Sequence, residues 1–438
     1  MKNKLFLIGI FFLFSNFIFA QKYDINHFIE LVKKNNKDIL IAAKDLEIAE
    51  TQDAMARSSA YPQINASGGY NRNLKEAFMY FDASELFGDE ESSGPAKFKV
   101  NYKNEFSAQA VLSQQIFNYS VFNAIKAAKQ YEKFSDHVYD ATYKGVVNGS
   151  KKAFYQTLLL KEIWEVNKES EKNAHENYLD LKKKFDVGIV SEFQLLQAEV
   201  RWQNYIPELT QSERNYLLAV NSLKTLAGIS HDDEFEIVGK LEVNPDKPNM
   251  VEMADVLNNR SDYNAMLWEK KLRESNVDVE WSNHIPSLSA SFVYQYSAIS
   301  DEFKLERENN YLIAGLSLNI PIFSGGMTSA RVQKAQIEVD QTNLKISKFE
   351  SEIFTEIKNL ELKLSEAEKR IESAQSTFKT AKKAFEIAEI TSENGLATQL
   401  ELKDARLGYD QAKLNYYASV YEYLEAFFDW ELAVGIMK

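Results

Sequence analysis

Residues that could do chemistry are few in this chain. Cysteine is absent, which excludes a disulfide framework, thiol catalysis and a lipid on an N-terminal cysteine. The five histidines, at 27, 137, 175, 231 and 284, are scattered without ligand spacing. No phosphate-cradling glycine loop, His-Glu-x-x-His helix or serine elbow occurs. Met250 and Met253 read as a linker pair rather than a ladder for copper or silver. No enzyme, cofactor or metal is expected. What remains is a pair of carboxylates, Glu401 and Asp404, six and nine residues after Gly395 and three apart. That spacing puts both on one helical face. Taken alone they read as a solvated acidic face.

The element that must position them occurs twice. From Gly395 the chain reads Leu396, Ala397, Thr398, then Glu401, Leu402, Asp404 and Ala405, and it runs without proline to Gly435. The earlier copy starts at Gly188, continues Ile189, Val190, Ser191, Gln194, Leu195, Gln197 and Ala198, and ends at Gly228. Both ends are offset equally, since 395 − 188 and 435 − 228 are each 207, as a duplicated unit requires. Inside the second copy Ala405, Ala412, Ser419 and Ala426 recur every seven residues beside Leu402, Tyr409, Tyr416, Tyr423 and Trp430. The first copy carries the same two series, as Ala198, Tyr205, Ser212, Ala219 and Leu195, Trp202, Leu209, Tyr216, Leu223. This is coiled-coil spacing, with small residues letting backbones approach and large ones filling the grooves opposite.

Residues 1–20 read as a secretory signal peptide: Lys2 and Lys4, an apolar run from Leu5 to Phe19, then Ala20 before Gln21. The run is too short for a spanning helix, and no second one follows. Without Lys2 and Lys4 the mature chain has 49 basic residues against 64 acidic, a net charge of −15. Nucleic acid is therefore not an expected partner. Only seven prolines and sixteen glycines punctuate 438 residues, so long uninterrupted elements are predicted instead of several globular domains.

Two repeats follow, 21–228 and 251–438, separated by a linker at 229–250. Each opens on a helical stripe, from Tyr23 to about Ser59 and from Val251 to about Asn283. Then the period drops to two. Ile64, Ala66, Gly68 and Tyr70 alternate with polar residues in 61–71, and Phe106, Ala108, Ala110 and Leu112 do so in 106–117. The acidic, serine- and glycine-rich stretch Asn71 to Glu105 reads as a long exposed loop. The second repeat has the same pair at 286–298 and 311–322, carried by Leu288, Ala290, Phe292, Tyr294, Tyr296 and by Leu312, Ala314, Leu316, Leu318, Ile320. Long helical hairpins complete each repeat: Tyr119 to Asp186 with Gly188 to Gly228, bent at Pro207, and Thr328 to Glu393 with Gly395 to Gly435.

Strands of about ten residues, apolar on one face with aromatics near their ends, match outer-membrane barrel strands. Their other face is almost wholly Ser, Gln, Asn and Gly, which cannot cover a second sheet but suits a water-filled lumen. Four strands cannot close, because the smallest such barrels have about eight and an open edge in lipid leaves backbone groups unpaired. The chain must oligomerise, to eight strands as a dimer or twelve as a trimer, and only the larger leaves a wide aqueous bore.

Together these features resemble the TolC family of outer-membrane efflux proteins over nearly the whole mature chain. The carriers are Pro321, Ile322, Phe323, Ser324, Gly325 and Gly326 before a long helix, the glycine turns at 188 and 395, and the closing Gly228 and Gly435. The resemblance implies a mainly α protein with a membrane β-barrel, in which a homotrimer shares one twelve-stranded barrel in outer-membrane lipid above a periplasmic tunnel of antiparallel hairpins. It implies docking on a periplasmic adaptor (membrane fusion) protein of an inner-membrane pump or ABC exporter. It also implies that Glu401 and Asp404 line the periplasmic gate, where threefold symmetry would make rings of carboxylates. The equivalent Gln194 and Gln197 are neutral. Where some members carry a basic latch residue, this chain has Ala397. The turns Gly188, Ile189, Val190, Ser191 and Gly395, Leu396, Ala397, Thr398 match the family's adaptor-docking tips, although helix ending and capping explain them as well. The competing class is a secreted coiled-coil structural or adhesion protein. It accounts for the heptads and the signal peptide but not for paired alternating segments in both halves.

Overall fold

A computed structural model describes residues 21–82, 95–243, 251–394 and 396–437. The expected signal peptide and Gly395 lie outside the described residues. The helices are α1 (Ile25–Asn35), α2 (Lys37–Ser58), α3 (Tyr119–Asp186), α4 (Glu192–Ala227), α5 (Met253–Asn259), α6 (Ser261–Ser282), α7 (Met327–Glu393) and α8 (Gln399–Ala433). The strands are β1 (Gln21–Tyr23), β2 (Gln63–Arg72), β3 (Phe78–Asp82), β4 (Pro95–Lys99), β5 (Asn104–Phe117), β6 (Phe235–Ile237), β7 (Ser287–Ser300) and β8 (Asn309–Asn319). They gather into two compact units. Of the described residues, one holds those up to Asp45, those of His137–Asn264 and those from Ser347; the other holds those of Leu46–Asp136 and Ala265–Ile346. Each unit draws on both repeats.

The second unit is built on a four-stranded antiparallel sheet in the order β2-β5-β7-β8. Its registers put like with like. One rung reads Ile64, Leu112, Phe292, Ala314, and the next on that face reads Ala66, Ala110, Tyr294, Leu312. On the opposite face Gln63, Ser113, Ser291 and Gly315 share a rung, as do Ser67, Gln109, Gln295 and Tyr311. A slip of one residue would exchange the faces of a whole strand, so the alternation in the sequence pins this register. One apolar rung, Val111, Val293 and Ile313, interrupts the polar face.

The helices α3 and α7 are 68 and 67 residues long, and the first unit holds them from His137 and Ser347 onward. Gly145 and Gly149 interrupt nothing in α3, and α4 continues through Pro207, where a bend was expected. A core of Phe28, Val32, Phe154, Leu223 and Ile237 forms around α1, α3, α4 and the parallel β1–β6 pair. A second core joins Val256, Ile353, Tyr423, Ala426 and Trp430. The expected linker 229–250 thus contributes β6 to a core; residues 244–250 lie outside the described residues.

The duplication is visible as a repeated joint. Gly228 has φ 63° and Gly435 φ 75°. A Cβ on the first would stand 2.9 Å from the Asn35 Cβ and carbonyl oxygen, and one on the second 2.7 Å from the Asn259 carbonyl carbon. Only glycine fits such a left-handed helix end pressed on another backbone. Asn35 and Asn259 are themselves equivalent, because 259 − 35 equals the 286 − 62 that relates Pro286 to Pro62. The neighbouring residue differs. Asn36 Nδ2 donates to the Leu226 carbonyl at 3.0 Å, whereas Arg260 Nη1 donates to the Ala433 carbonyl at 3.1 Å.

Three expectations are corrected. The opening stripes are each two helices, broken at Asn36 and Arg260. Asn36 Oδ1 accepts from the Asp38 and Ile39 amides at 2.9 and 3.2 Å, so it caps α2. Within Asn71 to Glu105, β3 and β4 form a hairpin in which Phe78 pairs with Lys99 and Tyr80 with Lys97, where only loop was expected. The barrel-type strands also differ in extent: β5 begins at Asn104, β7 continues to Ser300 and β8 ends at Asn319.

Candidate functional site: the hairpin tips

The two hairpins of the first unit end in turns that the local sequence dictates. After α3, Gly188 adopts φ 75°. The Ile189 amide then donates back to the Lys184 carbonyl at 2.9 Å, closing the helix. Ser191 starts α4: its Oγ accepts from the Gln194 amide, while its own amide donates to Gln194 Oε1 at 3.0 Å. After α7, the Leu396 amide donates to the Thr391 carbonyl at 2.8 Å. Thr398 then repeats the reciprocal cap with Glu401, its amide and Oγ1 donating to Glu401 Oε2 at 2.7 and 2.9 Å. The positions correspond, since 401 − 194 is again 207.

This geometry divides the two acidic residues. Glu401 is held by its cap, and the Thr398 backbone N–H, followed by the Thr398 hydroxyl, lowers its pKa from the usual glutamate value. Its side chain therefore does the structural work that neutral Gln194 does in the other copy. Asp404, one turn on, is exposed and outside that cap. Apolar side chains surround both turns in the open: Ile189 is 72% and Leu396 82% exposed. Val190 and Ala397 are half-buried, and Ser191 and Thr398 are exposed.

Above the tips α4 and α8 flank a groove of about 1120 Å³ floored by Val166 and Ser170 of α3. Its walls carry Phe193, Leu196 and Val200 on one side and Leu400 and Leu407 on the other, with Arg201 and Lys403 at the rim. Beside it lies a charge cluster that spacing arguments did not find. Arg406 Nη2 is 2.8 Å from Glu169 Oε1, its guanidinium lies 5.1 Å from the Phe385 ring centre, and Ser170 Oγ donates to Asp410 Oδ2 at 2.9 Å. Burial raises the Asp410 pKa, with Ser170 and Arg406 opposing it. Only the four-residue step from Arg406 to Asp410 was visible in the sequence; Glu169 reaches the cluster through the fold. The seam between α3 and α8 carries the ion pairs Lys152–Asp429 at 2.7 Å and Lys151–Glu431 at 3.3 Å beside a Tyr155–Phe428 ring contact at 5.6 Å. That between α7 and α8 combines ring stacking, Phe378 on Tyr409 and Tyr416 at 5.7 and 5.6 Å, with the ion pairs Lys363–Glu425 and Arg370–Glu422.

A sheet with one apolar and one polar face, carried by a chain that also forms two long capped hairpins, defines the class of outer-membrane channel proteins. A family model described as outer membrane efflux protein matches residues 28–229 and 253–435. The chain belongs to that family, and its place is the outer membrane; membership is of a channel class, not an enzyme class. It is 21% identical over 312 residues to the outer membrane protein TolC of Vibrio cholerae, covering 69% of this chain and 66% of that one. It is also 21% identical over 336 residues to the toluene efflux pump outer membrane protein TtgC of Pseudomonas putida, covering 73% and 63%. The chain therefore spans slightly less than two thirds of the length of these relatives. The Campylobacter jejuni CmeC outer membrane channel shares the fold, with a TM-score of 0.76 at 21% identity over 94% of this chain and 85% of that one.

Proposed function

We propose that three copies join their sheets into one twelve-stranded barrel and that the trimer is the passive outer-membrane duct of a tripartite efflux or secretion system. The observation that carries this reading is the state of the two sheet edges. β2 and β8 are the outer strands of the sheet and are exposed at all but one position, so among the described residues each leaves an outward row of backbone donors and acceptors without a strand partner. Lipid does not tolerate such an edge, and ring closure removes it. The repeats 21–228 and 251–438 then each supply two strands and one hairpin.

The tips, Gly188–Ser191 and Gly395–Thr398, are the docking points for a periplasmic adaptor protein linked to an inner-membrane pump or ABC exporter. Large exposed apolar groups at helix turns fit that role. Asp404 is the gate carboxylate, with Glu401 contributing through its hold on the α8 cap. Three copies of Asp404 around one axis would attract cations and repel each other.

The test is extraction and conductance. Protein taken from outer membranes in detergent should have the native mass of a trimer and conduct ions in planar bilayers. A monomer that remains soluble without detergent would instead support the adhesion-type alternative and end this reading.

A further inference from the structure

The two free edges carry enough pattern to fix how one copy meets the next. We propose that β8 of one copy pairs antiparallel with β2 of the following copy in the register that sets Ala66 opposite Leu318 and Gly68 opposite Leu316. The inference rests on the trimeric reading above and adds to it the seam, the tilt and the bore of the barrel.

Three steps lead there. Directly opposed residues in an antiparallel pair point to the same face. The apolar face of β2 carries Ile64, Ala66, Gly68 and Tyr70, and that of β8 carries Leu312, Ala314, Leu316 and Leu318. The residue numbers of opposed pairs must therefore sum to an even number, or lipid-facing groups would stand opposite polar ones. Odd registers are excluded.

The second step is the stagger already present. Gln63 stands opposite Ser113, Ser113 opposite Ser291, and Ser291 opposite Gly315, yet β8 runs four residues further, to Asn319. At the other end Asn309 traces back through Ser297 and Ser107 to Gly69, and β2 runs three residues further, to Arg72. Both ends descend in the same sense over three strand steps. A fourth step at that rate gives a shift of about five residues per copy, the quantity that shear describes. Tracing β2 to β8 inside one copy gives a number sum of 378, as for Gln63 with Gly315 (63 + 315). The seam must then sum to 382 or 384, a shift of four or six.

Side chains choose between these two. The sum 382 sets Ile64 against Leu318 and Tyr70 against Leu312, large on large, and Gly68 against Ala314, small on small, and of the apolar pairs only Ala66 with Leu316 sets small against large. The sum 384 sets Gly68 against Leu316, Ala66 against Leu318 and Tyr70 against Ala314, so that three of the four lipid-face pairs within the strands set large against small, the fourth being Leu312 against Arg72 at the strand ends. On the polar face it also pairs Asn65 with Asn319, Ser67 with Ser317 and Gly69 with Gly315. Six residues per copy over three copies, at about 3.4 Å rise and about 4.8 Å strand spacing, tilts the strands by about 45° and makes the barrel about 27 Å across between backbones. The alternative register gives about 35° and about 23 Å.

The absence of native cysteine makes the test clean. Full-length protein carrying Ala66→Cys is combined in turn with Leu318→Cys, Leu316→Cys or Ser317→Cys, oxidised in outer membranes, and run on denaturing gels. Native mass is measured in parallel in detergent. Ala66→Cys with Leu318→Cys should convert to covalent trimer. The other two pairs should yield about tenfold less or none, because a two-residue slip moves the partner by about 7 Å, beyond disulfide reach, and a one-residue slip turns it to the other face. Dominant bridging by Leu316→Cys or by Ser317→Cys overturns the register, as does a native trimer that none of the pairs bridges. A monomer by native mass would instead strike at the trimeric reading itself, which separates the two failures.

Discussion

The closing glycines allow the sharpest quantitative prediction. In Gly228→Ala the new Cβ must adopt φ 63° and stand 2.9 Å from both the Cβ and the carbonyl oxygen of Asn35. The left-handed conformation costs a non-glycine residue about 1–2 kcal/mol, and forcing a methyl into packed atoms, one of them backbone, adds about 1–3 kcal/mol. The expected loss is about 2–5 kcal/mol, and Gly435→Ala, pressed on the Asn259 backbone at 2.7 Å, should lose as much. Gly188 supplies the control. Its φ is 75°, but no atom lies within 4 Å of its Cβ position, so Gly188→Ala should pay only the conformational part, about 1–2 kcal/mol. Urea unfolding in detergent, followed by helical circular dichroism, compares the three variants against the parent. If Gly228→Ala and Gly188→Ala shift the midpoint equally, the close joint contributes nothing and the reasoning fails.

Other expectations follow from the tips and the joints. The Glu401 pKa is depressed in the fold, so its cap is intact above the ordinary glutamate range and is lost as pH falls through the lowered value; hydrogen exchange in the first turn of α8 should rise in acid, and Glu401→Gln, copying Gln194, should abolish that rise. Asp404→Asn should reduce cation preference in planar bilayers while leaving α8 stable, and an unchanged reversal potential would count against its gate role. Arg260, with its side chain 9% exposed, contacts Asp262 at 2.7 Å and Glu356 at 2.6 Å; Arg260→Ala should cost about 2–3 kcal/mol, at the low end for a broken buried pair because its partners are partly solvated. Arg260→Asn should recover part of that loss by restoring the bond to the Ala433 carbonyl. Charged replacement of Ile189 or Leu396 should abolish export while trimers still assemble, as read by native mass and a cargo-efflux assay.

Much of this architecture was legible because its signals are periodic. The strands lack charge over their central rungs, so their two-residue alternation stood out, and the register follows from the same pattern. The hairpins announced themselves through heptads and paired glycines. What escaped was non-local. Asn36 is a residue type that caps helices, but nothing about Arg260 as a residue type marks a helix break; its tie is to the Ala433 carbonyl, 173 residues away. The β3–β4 hairpin hid in a stretch whose acids, serines and glycines are typical of loops, with alternation too brief to register. For the carboxylates the clue was present: Thr398-x-x-Glu401 and Ser191-x-x-Gln194 are both capping-box spacings. The acidic pair drew a functional reading, and the fold gives Glu401 the cap to hold besides. The Arg406 cluster, assembled from α3, α7 and α8, showed only its four-residue step to Asp410.

The two joints also respond differently to their surroundings. At Asn36 the contact that ties the first hairpin to its base is between neutral groups, whereas at Arg260 the corresponding contact is reinforced by carboxylates that solvent can reach. Dissolved ions act on the second kind, though only weakly where the guanidinium is buried, and do not act on the first. Any response of this duplicated chain to concentrated electrolyte is therefore confined to the joint of the hairpin carrying Asp404, and it should be small.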